Sequence, residues 1–225
     1  MTHGPFDPTF DDLPATLPVF PLPGVLLLPR AKLPLNIFEP RYLNMTRDAL
    51  TTDRLIGMIQ PLNGSESATG SESGARPLYR VGCAGRITQF AETDDGRFLI
   101  TLTGVCRFMV DEEIASMRGY RRVIADWAAY RRDLGEDCDA ALDRALLVER
   151  LRRYFDAQGI TADWGVIEET PDDRLVTTLS MVCPFEGSEK QALLECGSLK
   201  ERATMLLALL DMAVAGTSGG DHARH

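Results

Sequence analysis

The most constraining feature of this 225-residue sequence is a change of hydrophobic period near residue 135. Before it, apolar residues alternate or come in short runs. After it, they recur every three to four positions. A period of two buries one face of a strand, and a period near 3.6 buries one stripe of a helix. The pattern therefore predicts an α+β fold, a β-rich half followed by a helical half.

In the first half, residues 1–16 are rich in Pro, Asp, Gly and Thr and read as a flexible lead-in. From Leu17 onward, short apolar runs are cut by prolines 18, 21, 23, 29, 34 and 40. Proline removes a ladder donor and pushes the residue before it to extended backbone. Short strands are expected near 18–22 and 33–38, joined through a turn at Gly24. Pro40 suits the first turn of a helix that turns Tyr42, Met45 and Leu50 inward. Leu55-Ile56-Gly57-Met58-Ile59 reads as a strand, and residues 63–76 as a mobile Gly/Ser/Glu loop. Longer strands are predicted over 78–91 and 97–110, with Phe98, Ile100 and Leu102 on the more apolar face. Asp94-Asp95-Gly96 between them is a hairpin signal, because glycine supplies positive φ cheaply. Tyr120 to Ala128 completes the set, with Val123 and Trp127 on one side and Ile124 on the other.

In the second half, residues 139–157 predict a helix with Leu147, Val148, Leu151, Tyr154 and Phe155 on a wide apolar face. Thr170-Pro171-Asp172-Asp173 places a cap hydroxyl, a first-turn proline and two acids at the start of another. Its stripe is Leu175, Val176, Leu179 and Val182, and Pro184 stops it. Ser188-x-x-Gln191 and Ser198-x-x-Glu201 read as capping boxes for two more. The last of these buries Leu199, Ala203, Leu206, Leu207 and Leu210. The organisation expected is a lead-in (1–16), a β-rich part (17–130), a helical part (131–213) and a disordered Gly/Ser/His tail (214–225).

Composition removes several chemistries. The three histidines are His3, His222 and His225, so residues 4–221 hold no imidazole for a Ser-His-Asp or Cys-His site or a His-ligated metal. Lys32, Lys190 and Lys200 are the lysines, and none sits in a G-x-x-x-x-G-K-[ST] phosphate loop. A formal charge of −9 argues against a general nucleic-acid or anionic-membrane binder. Five scattered cysteines without a C-x-x-C pair suit a reducing compartment. There is no basic and then apolar leader, and Val25-Leu26-Leu27-Leu28 is too short to span a bilayer. A cytoplasmic, non-membrane protein without a cofactor or metal is expected, its oligomeric state open.

Several segments, in order and spacing, carry a resemblance. They are Leu17-Pro18-Val19-Phe20-Pro21-Leu22, then Leu33-Pro34-Leu35-Asn36-Ile37-Phe38-Glu39-Pro40-Arg41-Tyr42, then Ile56-Gly57-Met58-Ile59-Gln60-Pro61. Leu78 to Ile87, the Gly104-Val105-Cys106-Arg107-Phe108 strand, Lys190 to Glu195 and Lys200-Glu201-Arg202 follow. Over roughly residues 16–212 the chain resembles the N-terminal domain of the Lon protease family in its free-standing bacterial form. The resemblance implies a six-stranded, PUA-like β pseudobarrel packed on a C-terminal helical bundle. In full-length Lon proteases that domain helps to recognise substrates and assemble the ring, ahead of ATPase and Ser-Lys protease modules. Here there is no Walker A lysine and no P-K-D-G-P-S-A-G segment. The implied function is a non-catalytic protein- or peptide-binding module, with protein or unfolded peptide clients and a protease as candidate partners. The PUA-like fold keeps RNA binding as the alternative, against which the net charge speaks.

Phe38, Glu39, Arg41 and Tyr42 are the candidate peptide-binding residues, a charged and aromatic rim. The competing reading is structural, with Glu39 at a helix entrance and Tyr42 packed inward, and structural support is the commoner role for such residues. Cys83 and Cys106 fall on adjacent strands and read as two buried thiols rather than a redox pair. Asp94 and Asp95 read as turn residues rather than an acid/base pair. Ser188/Lys190 and Ser198/Lys200 are the close Ser-Lys pairs, but i, i+2 residues do not share a helix face and each serine reads as a cap. No catalytic residue is assigned.

Overall fold

The computed structural model describes residues 6, 8–62, 76–135 and 142–219. Its described strands all belong to one sheet: β1 (Thr16–Pro21), β2 (Lys32–Ile37), β3 (Leu55–Pro61), β4 (Leu78–Glu92), β5 (Phe98–Met117) and β6 (Tyr120–Asp126). The strand order is β2-β5-β4-β3-β1-β6, and a further β5–β6 pairing closes β5, β4, β3, β1 and β6 into a ring. β1 and β3 run parallel and the remaining pairs are antiparallel. Helix α1 (Pro40–Leu50) connects β2 to β3. This is the expected pseudobarrel, with β2 as an appended edge strand.

β5, with 20 residues, makes the closure possible. One of its edges pairs with β4, and the other is shared between β2 (Phe98–Thr103) and β6 (Met109–Met117). Register shifts in the β4–β5 ladder between Ala84 and Gly85 and between Ile87 and Gln89 bend the two strands, as closing a ring requires. The strand predicted over 97–110 therefore runs on to Met117. Its polar extension pairs across the ladder, with Glu113 taking the Arg121 guanidinium in a fork.

Leu17, Val19, Ile59, Cys106, Phe108, Val123 and Trp127 form the core of this unit. Phe108 meets Trp127 edge-on, with centroids 5.7 Å apart. Its ring also lies against Gly57 and Gly82, where a Cβ would come within 2.9 and 2.5 Å of the Phe108 Cζ. The ring reaches the strands only because both positions lack a side chain. Leu26, Leu27 and Leu28 are buried although they lie outside the strands. Gln60 holds that segment, its Oε1 accepting from Gly24 N–H (2.9 Å) and its Nε2 donating to the Val25 carbonyl (2.7 Å). The apolar run that is too short for a membrane is thus part of the core.

After β6, a 3-10 turn over Ala128–Leu134 is fastened to β5 by one carboxylate. Asp133 accepts from Arg107 Nε at 2.8 Å, from an Arg107 terminal nitrogen at 2.7 Å and from the Arg107 backbone N–H at 2.9 Å. Both side chains are more than nine-tenths buried, and the guanidinium lies 4.4 Å from the centre of the Tyr130 ring.

The chain divides into two compact units, Met1–Cys138 and Asp139–His225. In the second, α2 (Arg144–Gln158), α3 (Trp164–Glu169), α4 (Asp172–Val182), α5 (Gly187–Glu195) and α6 (Leu199–Gly219) follow one another. Leu147, Leu151, Tyr154, Leu175, Val176, Leu179, Leu193, Leu206 and Leu210 are buried, while Val182 is exposed. Four details depart from expectation. Thr170 does not cap α4; its hydroxyl donates to the Val166 carbonyl and ends α3, a short helix without a strong periodic signal. Glu186, with Glu189 at the third helical position, forms the capping box of α5 in place of Ser188. Ser198 does cap α6, accepting from Glu201 N–H at 3.2 Å, but the Glu201 carboxylate reaches back to Gly197 N–H. α6 also continues to Gly219, because Ala213, Val214 and Ala215 offer nothing to stop a helix. Residues 63–75 of the loop predicted over 63–76, residues 136–141 and the terminal histidines lie outside the described residues. Among the described residues, no helix is long and apolar enough to cross a membrane.

Cys83, Cys106 and Cys183 are buried thiols outside any disulfide. Burial, helped by the Asp133 charge, pushes the Cys106 thiol up to about 12, and burial pushes Cys183 up to about 11. These thiols should resist iodoacetamide at pH 8 in the folded protein and react after unfolding, which mass mapping reads directly. An unfolded chain ionises its thiols near pH 8.5. Folded Cys106 and Cys183 hold their protons to higher pH, so the stability they contribute is complete below that point and lost as pH rises toward 11–12. Removing the buried carboxylate is a harsher test. Asp133→Ala should cost about 3–5 kcal/mol, because it strands the Arg107 charge. Glu168→Ala, which breaks an exposed pair with Arg152, should cost less than about 1 kcal/mol. Equal shifts of the two urea midpoints would contradict this assignment.

Candidate functional site

The candidate residues stand where β2 runs into α1. Ile37 ends β2 and is buried, and Phe38 turns outward with 63% of its surface exposed. Pro40 takes the first position of α1, its fixed φ suited to a helix start. Glu39 is the N-cap residue, yet its side chain makes no cap bond. Its carboxylate instead accepts from Arg41 Nε at 3.0 Å and pairs with an Arg41 terminal nitrogen at 2.8 Å. Both members of that pair are about half exposed.

Tyr42 lies beneath them. It is buried, its ring centre 4.0 Å from that of Phe20 on β1, and the Arg41 guanidinium sits 4.6 Å from its centre. Burial raises the phenol pKa above its ordinary value, with the Arg41 charge opposing. The structure thus brings all four residues together but separates them by depth. Phe38, Glu39 and Arg41 face solvent, and Tyr42 lies buried under the Arg41 guanidinium. α1 buries Tyr42, Met45, Thr46 and Ala49 as one stripe, while the expected Leu50 is only half-buried.

Residues unmarked in the sequence hold the flank of α1. The β5–β6 loop consists of Arg118 and Gly119, both with positive φ (49° and 89°), as a two-residue hairpin demands. Asn44 Nδ2 donates to the Arg118 carbonyl (3.2 Å), and Asn44 Oδ1 accepts from the Arg118 guanidinium (3.0 Å). The Asp48 carboxylate pairs with that guanidinium and accepts from the Tyr120 hydroxyl at 2.9 Å. A Cβ on Gly119 would stand 3.3 Å from Arg41 Cβ, so the turn abuts the helix there as well. An X-Gly pair between two apolar runs was the available signal for this turn.

Across β2, β5 and β4 lies an open groove of about 860 Å³, lined by Pro34, Asn36, Gln89, Phe90, Leu99 and Thr101 among others. None of the residues lining it is charged. Leu99 and Phe90 expose 47% and 39% of their surface there. Among the described strands β2 pairs only with β5, so its other edge is unpaired. Pro34 has no N–H to offer along the strand and Lys32 stands at its exposed start, two devices that blunt strand edges.

The other candidate pairs are structural. Asp95 accepts from Thr93 and Arg97 inside the β4–β5 turn, which holds its carboxyl well below the usual range. Lys190 is buried with its Nζ donating to the Met181 carbonyl at 2.9 Å, and burial lowers its pKa. Ser198 is occupied as a cap and Lys200 is exposed. Among the described residues, no group of three or more His, Cys, Asp or Glu side chains is placed to hold a metal ion.

The chain is similar to several known proteins. It is 22% identical over 205 residues to the Lon protease of Flavobacterium johnsoniae, covering 90% of this chain and 24% of that one. It is 24% identical over 204 residues to the Lon protease of Anaeromyxobacter dehalogenans, covering 89% and 24%. The chain thus spans about a quarter of the length of the curated relatives it matches. Its fold is that of the Lon N-terminal domain protein of Xanthomonas campestris, with a TM-score of 0.61 at 24% identity, covering 86% of this chain and 97% of that one. The N-terminal domain of a Mycobacterium avium complex Lon protease gives 0.59 at 15% identity, covering 87% and 98%. The model of the ATP-dependent protease La (LON) substrate-binding domain matches residues 16–212. By that match over most of its length, the chain belongs to the Lon substrate-binding domain family.

Proposed function

We propose that this chain is a non-catalytic recognition module that binds protein segments through Phe38, Glu39 and Arg41, with Tyr42 as the platform beneath them. One observation carries the reading: a large aromatic side chain, 63% exposed, stands beside an exposed ion pair at a rigid strand-to-helix junction. Membership of a substrate-binding family supports it. An exposed Leu or Phe is unremarkable by itself. Here Phe38 directly follows a buried strand residue and precedes a helix start, so its outward direction is fixed by backbone rather than by chance rotation. Phe38 supplies apolar contact area at low entropy cost, and the Glu39–Arg41 pair supplies a donor and an acceptor at its border. The blunted β2 edge points to recognition by side chains rather than by strand addition. Unfolded or extended segments are the expected clients, and residues 17–213 act as one recognition unit.

The test uses the full chain and a labelled, permanently unfolded probe, reduced and carboxymethylated α-lactalbumin. Phe38→Ala should weaken binding by about tenfold, the loss of one anchor residue, with the thermal midpoint unchanged. Total RNA titrated at low salt should give no salt-sensitive signal. Equal probe binding by Phe38→Ala and the parent chain would refute the rim as the binding site.

A further inference from the structure

The rim is carried by the first turn of α1, and what holds that turn in place is the β5–β6 loop. Arg41, Asn44 and Asp48 fall at i, i+3 and i+7, on one face of α1. All three meet the same two-residue turn: Arg41 abuts Gly119, Asn44 bonds the backbone and guanidinium of Arg118, and Asp48 takes Arg118 and Tyr120. The adjoining stripe, Tyr42, Met45, Thr46 and Ala49, is buried and already anchors the helix by packing. The clamp is partly exposed, with Arg118 half exposed, so it adds little to global stability. Its effect is geometric: apolar packing fixes the helix on the sheet, and directed hydrogen bonds fix its rotation and sliding.

We infer that Asn44 and Asp48 are positioning residues, which hold the Arg118-Gly119 turn against α1 and so set where Phe38, Glu39 and Arg41 stand. The inference rests on the peptide-rim reading above. It adds that the β5–β6 hairpin governs the rim's affinity without touching the client.

Asp48→Asn keeps the side-chain shape and removes the charge. In the full chain it should weaken binding of the carboxymethylated α-lactalbumin probe by roughly five- to tenfold, with a midpoint shift of no more than about 3 °C. It should also speed amide hydrogen exchange at Tyr42 and Leu43, whose N–H groups donate to the Glu39 carbonyl in the first turn. Two results would overturn the inference: unchanged exchange at Tyr42 and Leu43, or unchanged affinity in Asp48→Asn while Phe38→Ala loses it. If Phe38→Ala itself binds normally, the rim reading falls, and the exchange data still decide whether the hairpin sets the first turn of α1.

Discussion

Ring closure by β5 is the constraint on which the first unit depends. A sheet closes into a ring when its outer strands pair with each other, and here β5 pairs with β6 along the second part of an edge whose first part it gives to β2. Two consequences follow at once. β2 is left outside the ring with one edge unpaired, so its end delivers Phe38 to the surface. The far end of β5 turns tightly into β6 at Arg118-Gly119, and that turn arrives beside α1. The rim and its clamp are therefore products of one long strand.

Packing inside the ring depends on missing side chains as much as on large ones. Phe108 reaches across β3 and β4 because Gly57 and Gly82 leave room for its ring. Gly104 similarly lies under the backbone at Leu28, where any Cβ would strike the carbonyl. These close approaches bring the apolar Leu26–Leu28 run into the core without strand pairing. The Arg107–Asp133 pair then ties the segment after β6 back onto β5, one carboxylate accepting from both the buried guanidinium and the backbone N–H of Arg107.

The separation of the candidate residues by depth sharpens what the rim can do. Tyr42 reads in sequence as part of an aromatic and charged cluster, and in space it is a support stacked on Phe20. The structural reading of the Glu39-Pro40-Arg41-Tyr42 segment holds for Tyr42, which is buried, while Glu39 and Arg41 remain at the surface. Glu39 and Arg41 neutralise each other on the surface, so contact there favours hydrogen bonding and apolar area over net charge, in keeping with a chain of formal charge −9. The hairpin clamp gives the exposed group a fixed orientation that its own short helix turn does not supply.

Much of this was legible in the residues because it is local. Strand and helix periods, the proline at the start of α1 and the Asp-Gly turn between β4 and β5 are written within a few positions of where they act. The alternation of Phe98, Ile100 and Leu102 with Leu99 and Thr101 named the buried face correctly. Helix starts in the second half were legible as regions but not as capping residues, since several Ser, Thr and Glu side chains compete for the same few N–H groups. The contacts that organise the site were not legible at all. Asp133 lies 26 positions from Arg107, and Asp48 lies 70 from Arg118. Sequence alone determined the fold class and most inward faces, because hydrophobic period and turn chemistry are properties of neighbouring residues, and the order of its segments carried the resemblance to the family. Only the tertiary structure decided that Phe38 is exposed, Tyr42 is buried and the β5–β6 turn holds α1. Those outcomes depend on ring closure, which brings distant strands to one place and which no local pattern encodes.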